Sequence, residues 1–175
     1  RYSSGELQLR PEEVGSGAYT SVSVAGACPI GAQGYPELPV MTARVAVPRC
    51  ESIEVSVATE GTRSFEALRV TPSPTTVETG PGGVSWTEYR EGDVYGERGQ
   101  WPPEAARMFG PSELGRQRFV VVELYPCQVD PAEETLVHHE SITVRLSFRN
   151  LVAGPQARAE HPRRERLLSG LLLNY

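Results

Sequence analysis

The feature that most constrains the fold is an apolar residue at every second position in one short segment after another. This alternation is typical of β-strands with one buried face. The segments lie at residues 18–25, 44–47, 52–58, 65–70, 117–125, 136–141 and 142–148. The 17 glycines and 15 prolines of the chain supply turns and disfavour a helical bundle. The pattern predicts an all-β fold: an antiparallel two-sheet β-sandwich of the jelly-roll or immunoglobulin-like type.

The same pattern divides the chain into three parts. Residues 1–17 are predicted to form an N-terminal arm, residues 18–153 the sandwich, and residues 154–175 a polar linker with an apolar junction. Four leucines of the last part share one helical face, which predicts a short C-terminal amphipathic helix or an apolar tail. They are Leu167, Leu168, Leu171 and Leu172.

Three regions have a distinct local pattern inside the sandwich. Segment 117–125 is the most apolar, and we expect it to be covered on both faces. Residues 72–84 are rich in Pro, Thr and Gly and predict a loop, whereas residues 86–116 predict irregular chain with short extended pieces.

Charge and hydropathy exclude two classes of partner. The net charge of −5 disfavours a nucleic-acid-binding protein. No stretch approaches the roughly 18 apolar residues that predict a membrane span. The N-terminus has no apolar signal core, so any signal peptide has been removed or omitted.

Few residues suggest chemistry. His138 and His139 are neighbours on a predicted strand, so their imidazoles point to opposite faces and do not converge on a metal. We expect them to be surface or edge histidines. The cysteines at 28, 50 and 127 match no zinc pattern. A catalytic cysteine needs a histidine as its base, and no histidine lies near any of the three in sequence. A Cys28–Cys50 disulfide and three buried free thiols both stay open. The residues predict no cofactor and no metal.

Four aromatic residues lie within sixteen positions, at Trp86, Tyr89, Tyr95 and Trp101. They favour packing of a long loop against the sandwich. A sugar-stacking platform that uses Trp86 and Trp101 is the alternative, which would make the chain a carbohydrate-binding or adhesive module. With no enzyme chemistry visible, we expect a binding function.

An unusual proline-rich sequence, Gly-Tyr-Pro-Glu-Leu-Pro-Val at 34–40, precedes the second strand. Proline has no amide hydrogen, so Pro36 and Pro39 predict a lead-in at the margin of a sheet. Leu38 and Val40 are predicted to point inward.

An ordered series of motifs begins with this lead-in. It continues with Arg44-Val-Ala-Val-Pro48, Ile53-Glu-Val-Ser-Val57, Pro72-Ser-Pro74, Val94-Tyr95, Gln100-Trp-Pro102, the run from Val120 to Pro131, Leu136, and Ile142–Phe148. The series resembles the N-terminal prodomain of gingipain-type cysteine peptidases over residues 18–175. Val129-Asp130 replaces the family's Tyr-Asn before Pro131.

The resemblance implies a non-catalytic prodomain that folds independently of its enzyme. Such a domain would keep a secreted cysteine peptidase latent, and assist its folding, until proteolysis releases it. The partner would be the catalytic domain of the same precursor, which carries the catalytic His and Cys. The specificity of that peptidase stays open. A third interpretation, a structural module of a secretion-system protein with a peptidase-like fold, also stays open.

The resemblance also implies which residues contact the peptidase. In the family, a basic side chain from the region equivalent to residues 96–114 can occupy the primary specificity pocket. We favour Arg107; Glu104 aligns more directly, and Arg98 and Trp101 lie in the same segment. Release requires an exposed cleavage site, and the arginines of the linker, Arg163, Arg164 and Arg166, suit it.

Overall fold

The computed structural model describes residues 1–78, 85–114, 117–152 and 170–173. Twelve β-strands and one 3-10 helix, Asp93–Gly96, are defined in these ranges. The strands are β1 Tyr2–Ser3, β2 Leu7–Val14, β3 Gly17–Val24, β4 Cys28–Ile30, β5 Leu38–Ala46, β6 Cys50–Phe65, β7 Thr75–Glu78, β8 Ser85–Glu88, β9 Ala106–Leu114, β10 Gln117–Leu124, β11 Cys127–Asp130 and β12 Thr135–Leu151. The prediction of an all-β chain is confirmed. Among the described residues, no helix is long and apolar enough to cross a membrane.

The described strands form four sheets. One has the order β1-β12-β11 with β6 also paired to β12, and a second has the order β4-β5-β10-β9. The hairpins β2-β3 and β7-β8 are the other two. The finer prediction, two sheets packed as one sandwich, is therefore not confirmed. Residues 1–17, predicted as an arm, contain β1 and β2, which pair with β12 and β3 respectively.

The chain forms two compact units. Unit 1 contains Arg1–Met41, Thr59–Ala105 and Tyr125–Ile142, and unit 2 contains Thr42–Ala58, Ala106–Leu124 and Thr143–Tyr175. Strands β5, β6 and β12 contribute residues to both units.

The core of unit 1 follows from alternation. Strand β3 buries Val22 and Val24, which were predicted to share a face, and these valines pack with residues from four other places in the chain. The partners are Leu38, Val70, Cys127, Val129 and Leu136.

The proline-rich lead-in enters unit 1 as predicted for its apolar residues. Leu38 and Val40 are 1% and 3% exposed. Strand β5 begins already at Leu38, so Pro39 lies inside it, opposite Pro29 of β4. Because neither proline has an amide hydrogen, this position of the ladder needs no acceptor.

Unit 2 buries the even-numbered face of β10. Val120, Val122 and Leu124 are 0%, 3% and 7% exposed. The opposite face is half-buried, including Val121 and Glu123. The expectation that both faces of this segment are covered is therefore confirmed for one face and only in part for the other.

Three element predictions need correction. No separate strand forms at 65–70: β6 runs from Cys50 to Phe65 and ends there, and Ala67 adopts a left-handed turn conformation with φ of 56°. The loop predicted at 72–84 contains β7, which pairs with β8. The stretch predicted as irregular, 86–116, contains β8, the 3-10 helix and the nine-residue β9.

Strand β9 escaped prediction because Gly110-Pro111 interrupts its pattern. The pair stands opposite a single residue of β10, Val120, between the pairs Phe109–Val121 and Ser112–Phe119. This is a β-bulge, which lets a strand continue past a proline. Gly110 has a φ of 106°, a conformation that favours glycine.

The C-terminal segment is described only at residues 170–173. Gly170 and Leu171 have helical backbone, Leu172 is 7% exposed, and the amide of Leu173 donates to the carbonyl of Arg44 on β5 at 2.9 Å. The rest of the predicted amphipathic helix lies outside the described residues.

Candidate functional site

Segment 97–105 contains three of the four predicted peptidase contacts. Its backbone is hydrogen-bonded along β11. Trp101 and Val129 exchange two backbone hydrogen bonds, at 2.7 and 2.8 Å. The amide of Gly99 donates to Asp130 Oδ2 at 2.9 Å, and the amide of Tyr125 donates to the carbonyl of Ala105 at 2.8 Å. The segment is therefore a fixed feature of unit 1 although most of it is not a strand.

Trp101 anchors this segment. Its ring lies 4.6 Å from that of Tyr35, centroid to centroid, and packs against the core of unit 1. A sugar-stacking platform built on Trp86 and Trp101 needs an exposed ring face on each of them. Trp86 is 47% exposed on β8. The Trp101 ring, in contrast, packs against Tyr35 and the core of unit 1. Packing therefore explains Trp101 better than sugar binding does.

A buried network of polar side chains also forms a hydrogen bond with this segment. Gln128 donates from Nε2 to the carbonyl of Pro102 at 2.7 Å, and its Oε1 accepts from His139 Nε2 at 2.8 Å. His139 Nδ1 accepts from the hydroxyl of Thr62 at 3.2 Å. Because the amide of Gln128 uses its nitrogen for Pro102, His139 carries its proton on Nε2.

Both histidines are buried, so the expectation of surface or edge histidines was wrong. His138 and His139 are 1% and 6% exposed. His138 Nε2 lies 2.9 Å from Ser4 Oγ, while its Nδ1 has no hydrogen-bond partner in the described part of the chain. Burial lowers the pKa of both imidazoles; for His138, the positive charge of Arg63 lowers it further. The signal was available in sequence, since His138 continues the alternation of Leu136.

The other two predicted peptidase contacts of segment 97–105, Arg98 and Glu104, are exposed to solvent. Arg98 pairs with Glu133 at 3.0 Å, and its side chain is 84% exposed. An ion pair this exposed contributes about 0–1 kcal/mol, so Arg98 can leave it at little cost. Glu104 is exposed and forms no ion pair with the described residues.

Arg107 has a different setting. It lies on β9, the edge strand of its sheet, directly opposite Glu123 of β10. It is exposed, and its guanidinium lies 4.8 Å from the centre of the Phe109 ring. Because β9 begins at Ala106, residues 96–114 are not one irregular loop, and that expectation was wrong. Arg98, Trp101 and Glu104 belong to unit 1 and Arg107 to unit 2.

A second polar cluster stabilises the residues that precede segment 97–105. Arg69 donates to both carboxylate oxygens of Glu91, at 2.6 and 2.7 Å, and lowers the pKa of that carboxyl. The hydroxyl of Tyr95 donates to the carbonyl of Val70 at 2.7 Å, and burial raises the pKa of Tyr95. Sequence reasoning missed Arg69 and Glu91, which are 22 residues apart and have no local signal.

The three cysteines differ in burial. All three are free; Cys28 is exposed, whereas Cys50 and Cys127 are buried. The Cys28–Cys50 disulfide is absent from this structure. Burial raises the pKa of the Cys127 thiol to about 12, which keeps it protonated. No group of three or more metal-ligating side chains occurs among residues 1–78, 85–114, 117–152 and 170–173.

The predicted processing arginines, Arg163, Arg164 and Arg166, lie outside the described residues.

Solved structures similar to this chain include two from Porphyromonas gingivalis. The complex of the pro- and mature domains of RgpB from Porphyromonas gingivalis aligns with a TM-score of 0.81 and 22% identity, over 99% of this chain and 90% of that one. The structure that addresses the zymogenic latency of gingipain K from Porphyromonas gingivalis aligns with a TM-score of 0.66 and 22% identity, over 85% of each chain. At this identity they show the shared fold. No curated protein sequence matches significantly.

The family comparison goes further than the fold. The Propeptide_C25 family matches residues 2–164, which is nearly the whole chain. A propeptide is the non-catalytic part of a zymogen. This chain belongs to the Propeptide_C25 family and is the propeptide of a gingipain-type peptidase.

Proposed function

We propose that this chain keeps a gingipain-like cysteine peptidase latent by presenting an exposed side chain to its active-site cleft until proteolysis releases it. The match to a propeptide family over residues 2–164 is the observation that carries the proposal. The catalytic domain of the same precursor is the partner. The precursor is secreted or held at the cell surface, and the propeptide also assists folding of the catalytic domain.

Arg107 is the best candidate for the specificity pocket. Peptidases bind substrates as extended chains, and an edge strand offers an extended backbone with unpaired polar groups. Arg107 lies at the beginning of such a strand with its guanidinium exposed. Its contact with Phe109 is worth about 0.5–1 kcal/mol at an exposed site, so a pocket that holds the guanidinium by hydrogen bonds outcompetes it.

Arg98 and Glu104 are the second candidates. They project from a segment whose backbone is fixed at Gly99, Trp101 and Ala105. A fixed segment loses little conformational entropy on binding, which suits an inhibitor. Trp101 belongs to the scaffold of this segment and is not proposed to enter the cleft.

A matched pair of variants tests the assignment. The chain is added to the mature peptidase, and the inhibition constant is measured for Arg107→Ala and Arg98→Ala. Loss of a charge-assisted anchor raises the constant by roughly ten- to a hundredfold. We expect that rise for Arg107→Ala and less than about threefold for Arg98→Ala. The reverse order would move the anchor to segment 97–105, and equal small effects would remove both arginines from the cleft.

The release step is assigned to the linker arginines 163, 164 and 166. Exposed polar linkers are preferred sites of proteolysis. Replacing all three by Gln should leave the precursor uncleaved at this linker, seen as retention of the joined band on a denaturing gel. Unchanged fragment masses would place the cleavage elsewhere.

A further inference from the structure

Unit 2 carries most of the exposed apolar surface of the described chain. Nine of the twelve large hydrophobic residues that are exposed belong to it, although unit 2 contributes about a third of the described residues. The other three, Ile30, Trp86 and Tyr89, belong to unit 1. Concentration of apolar side chains on one part of a surface marks interaction sites.

Part of this surface is one face of the paired strands β6 and β12. Glu54 and Arg149 form an ion pair across the two strands at 2.6 Å, so these side chains share a face. Since neighbouring residues of a strand point to opposite faces, Val55 and Phe148 lie on the other face. We call this the unit 2 apolar face; its members are Ile53, Val55, Val57, Val144, Leu146 and Phe148.

The unit 2 apolar face is incompletely covered. Val55, Val57 and Phe148 are 37%, 39% and 37% exposed, and the other three members are half-buried. The valines on the buried face of β10, Val120 and Val122, are by comparison 0% and 3% exposed. The opposite, polar face of the same strands has the normal character of a solvated surface.

The C-terminal segment indicates which partner covers this face. Leu172 is buried, and the amide of Leu173 donates to the carbonyl of Arg44, both within unit 2. In the precursor that the proposed function requires, the catalytic domain follows this segment and is tethered at unit 2. A short tether gives an effective concentration of about millimolar, which favours contact with the unit that carries the tether. Leu171 and Leu173 of this segment are themselves 38% and 74% exposed.

We infer that the unit 2 apolar face docks onto the catalytic domain of the same precursor, as a second contact separate from the side chain that enters the cleft. The inference rests on the proposed function and adds the surface that supplies binding energy. Apolar burial at such a face stabilises the complex regardless of the specificity of the peptidase.

Hydrogen exchange of the wild-type chain, free and bound to the mature peptidase, tests the inference without any substitution. We expect slower exchange on binding in residues 53–57 and 144–148, and unchanged exchange at the unit 1 hairpin of β2 and β3. Absence of added protection in both unit 2 segments would overturn the inference. Protection that depends on the chain's own concentration without peptidase would assign the face to a second copy and also overturn it.

A variant series provides the second arm. Val57→Lys and Phe148→Lys should each raise the inhibition constant roughly tenfold or more, as expected for apolar anchors. The matched controls Ile30→Lys and Trp86→Lys replace exposed apolar residues of unit 1 and should change it by less than about twofold. Thermal unfolding identifies any variant that fails to fold, in which case the exchange experiment decides.

The two hypotheses fail differently. If the wild-type chain does not inhibit at all, the proposed function fails. If it inhibits normally while the unit 2 variants equal the unit 1 controls, only the docking face is wrong.

Discussion

At the scale of single residues, the two adjacent histidines are the most unusual feature. Each is buried and bound to a different element: His138 to Ser4 near β1, and His139 to Gln128 of β11 and Thr62 of β6. Their pKa values are lowered mainly by burial, so the native state holds both imidazoles neutral near neutral pH. Protonation would place a charge where no described acceptor serves His138 Nδ1.

The lowered pKa values predict loss of stability in mild acid. A histidine whose pKa is lower in the folded than in the unfolded chain stabilises the fold above its ordinary pKa of 6.5, and this contribution is lost as pH falls through the folded value. We expect the free energy of unfolding, from urea titration, to decrease below about pH 6.5.

The control is the double variant His138→Gln and His139→Gln, which should flatten the curve in that window. The Arg69–Glu91 pair acts in a different window, because the lowered pKa of Glu91 makes its contribution disappear only below the ordinary value of 4.5. An unchanged pH dependence in the double variant would show that the histidines are not the groups that titrate.

The three thiols should differ in reactivity. Cys28 is exposed, whereas Cys50 and Cys127 are buried and burial raises the pKa of Cys127 to about 12. A maleimide should label one thiol of the native chain rapidly and all three after denaturation, as counted by intact mass. Rapid labelling of Cys127 in the native chain would contradict the buried core of unit 1.

At the scale of elements, the bulge in β9 determines where Arg107 lies. The ladder pairs Arg107 with Glu123 on one side of the bulge and Ser112 with Phe119 on the other. A continuous ladder without the extra residue would turn every side chain on one side of the bulge to the opposite face. The bulge thus keeps Ala106 buried and Arg107 exposed at the edge of the sheet.

Gly110→Ala should therefore destabilise the chain. Gly110 has a φ of 106°, and a Cβ there would lie 3.1 Å from the amide nitrogen of Ser112. We expect a loss of about 1–3 kcal/mol in the free energy of unfolding. Gly96→Ala, where a Cβ meets nothing within 4 Å, is the matched control. Equal effects of the two variants would contradict the bulge.

Gln128 should stabilise segment 97–105. Gln128→Leu leaves both the carbonyl of Pro102 and His139 Nε2 without their partner in a buried site. Such a change costs about 1–3 kcal/mol for each group left unpaired. Proteolysis of the native variant should gain a cut within residues 97–105 that the exposed control Gln8→Leu lacks. Resistance equal to the control would show that the backbone bonds alone hold the segment.

Sequence reasoning succeeded where a local period decides the structure. It identified β3, β10 and the strand pattern of β12, and it placed Leu38 and Val40 inside. It failed where a distant partner decides: β9 needs β10 to stabilise a strand through Gly110-Pro111, and β7 needs β8. Alternation with Leu136 could have placed His138 inside, but the partners of the two histidines, Ser4, Thr62 and Gln128, come from three separate regions and could not be predicted.

The candidate site divides in the same way. The resemblance indicated the region 96–114 with Arg107 as the favoured candidate, and both stay predictions. The aromatic cluster favoured packing of Trp101, but sequence could not show what gives Trp101 its anchoring role. That role depends on Tyr35 and Val129, which are distant in the chain.

At the scale of the whole molecule, the chain is a propeptide built as two compact units. Unit 1 contains the buried polar networks and segment 97–105. Unit 2 contains Arg107 and most of the large apolar residues that are exposed in the described part of the chain. We propose that the molecule thereby combines a side chain for the cleft with an apolar face for affinity.

The most direct test of this account is the inhibition constant of the isolated chain against the mature peptidase of its own precursor. We predict reversible inhibition that competes with substrate, with a dissociation constant below about 1 μM, as expected for a specific protein–protein interface. No inhibition at micromolar concentrations of a folded chain would contradict it.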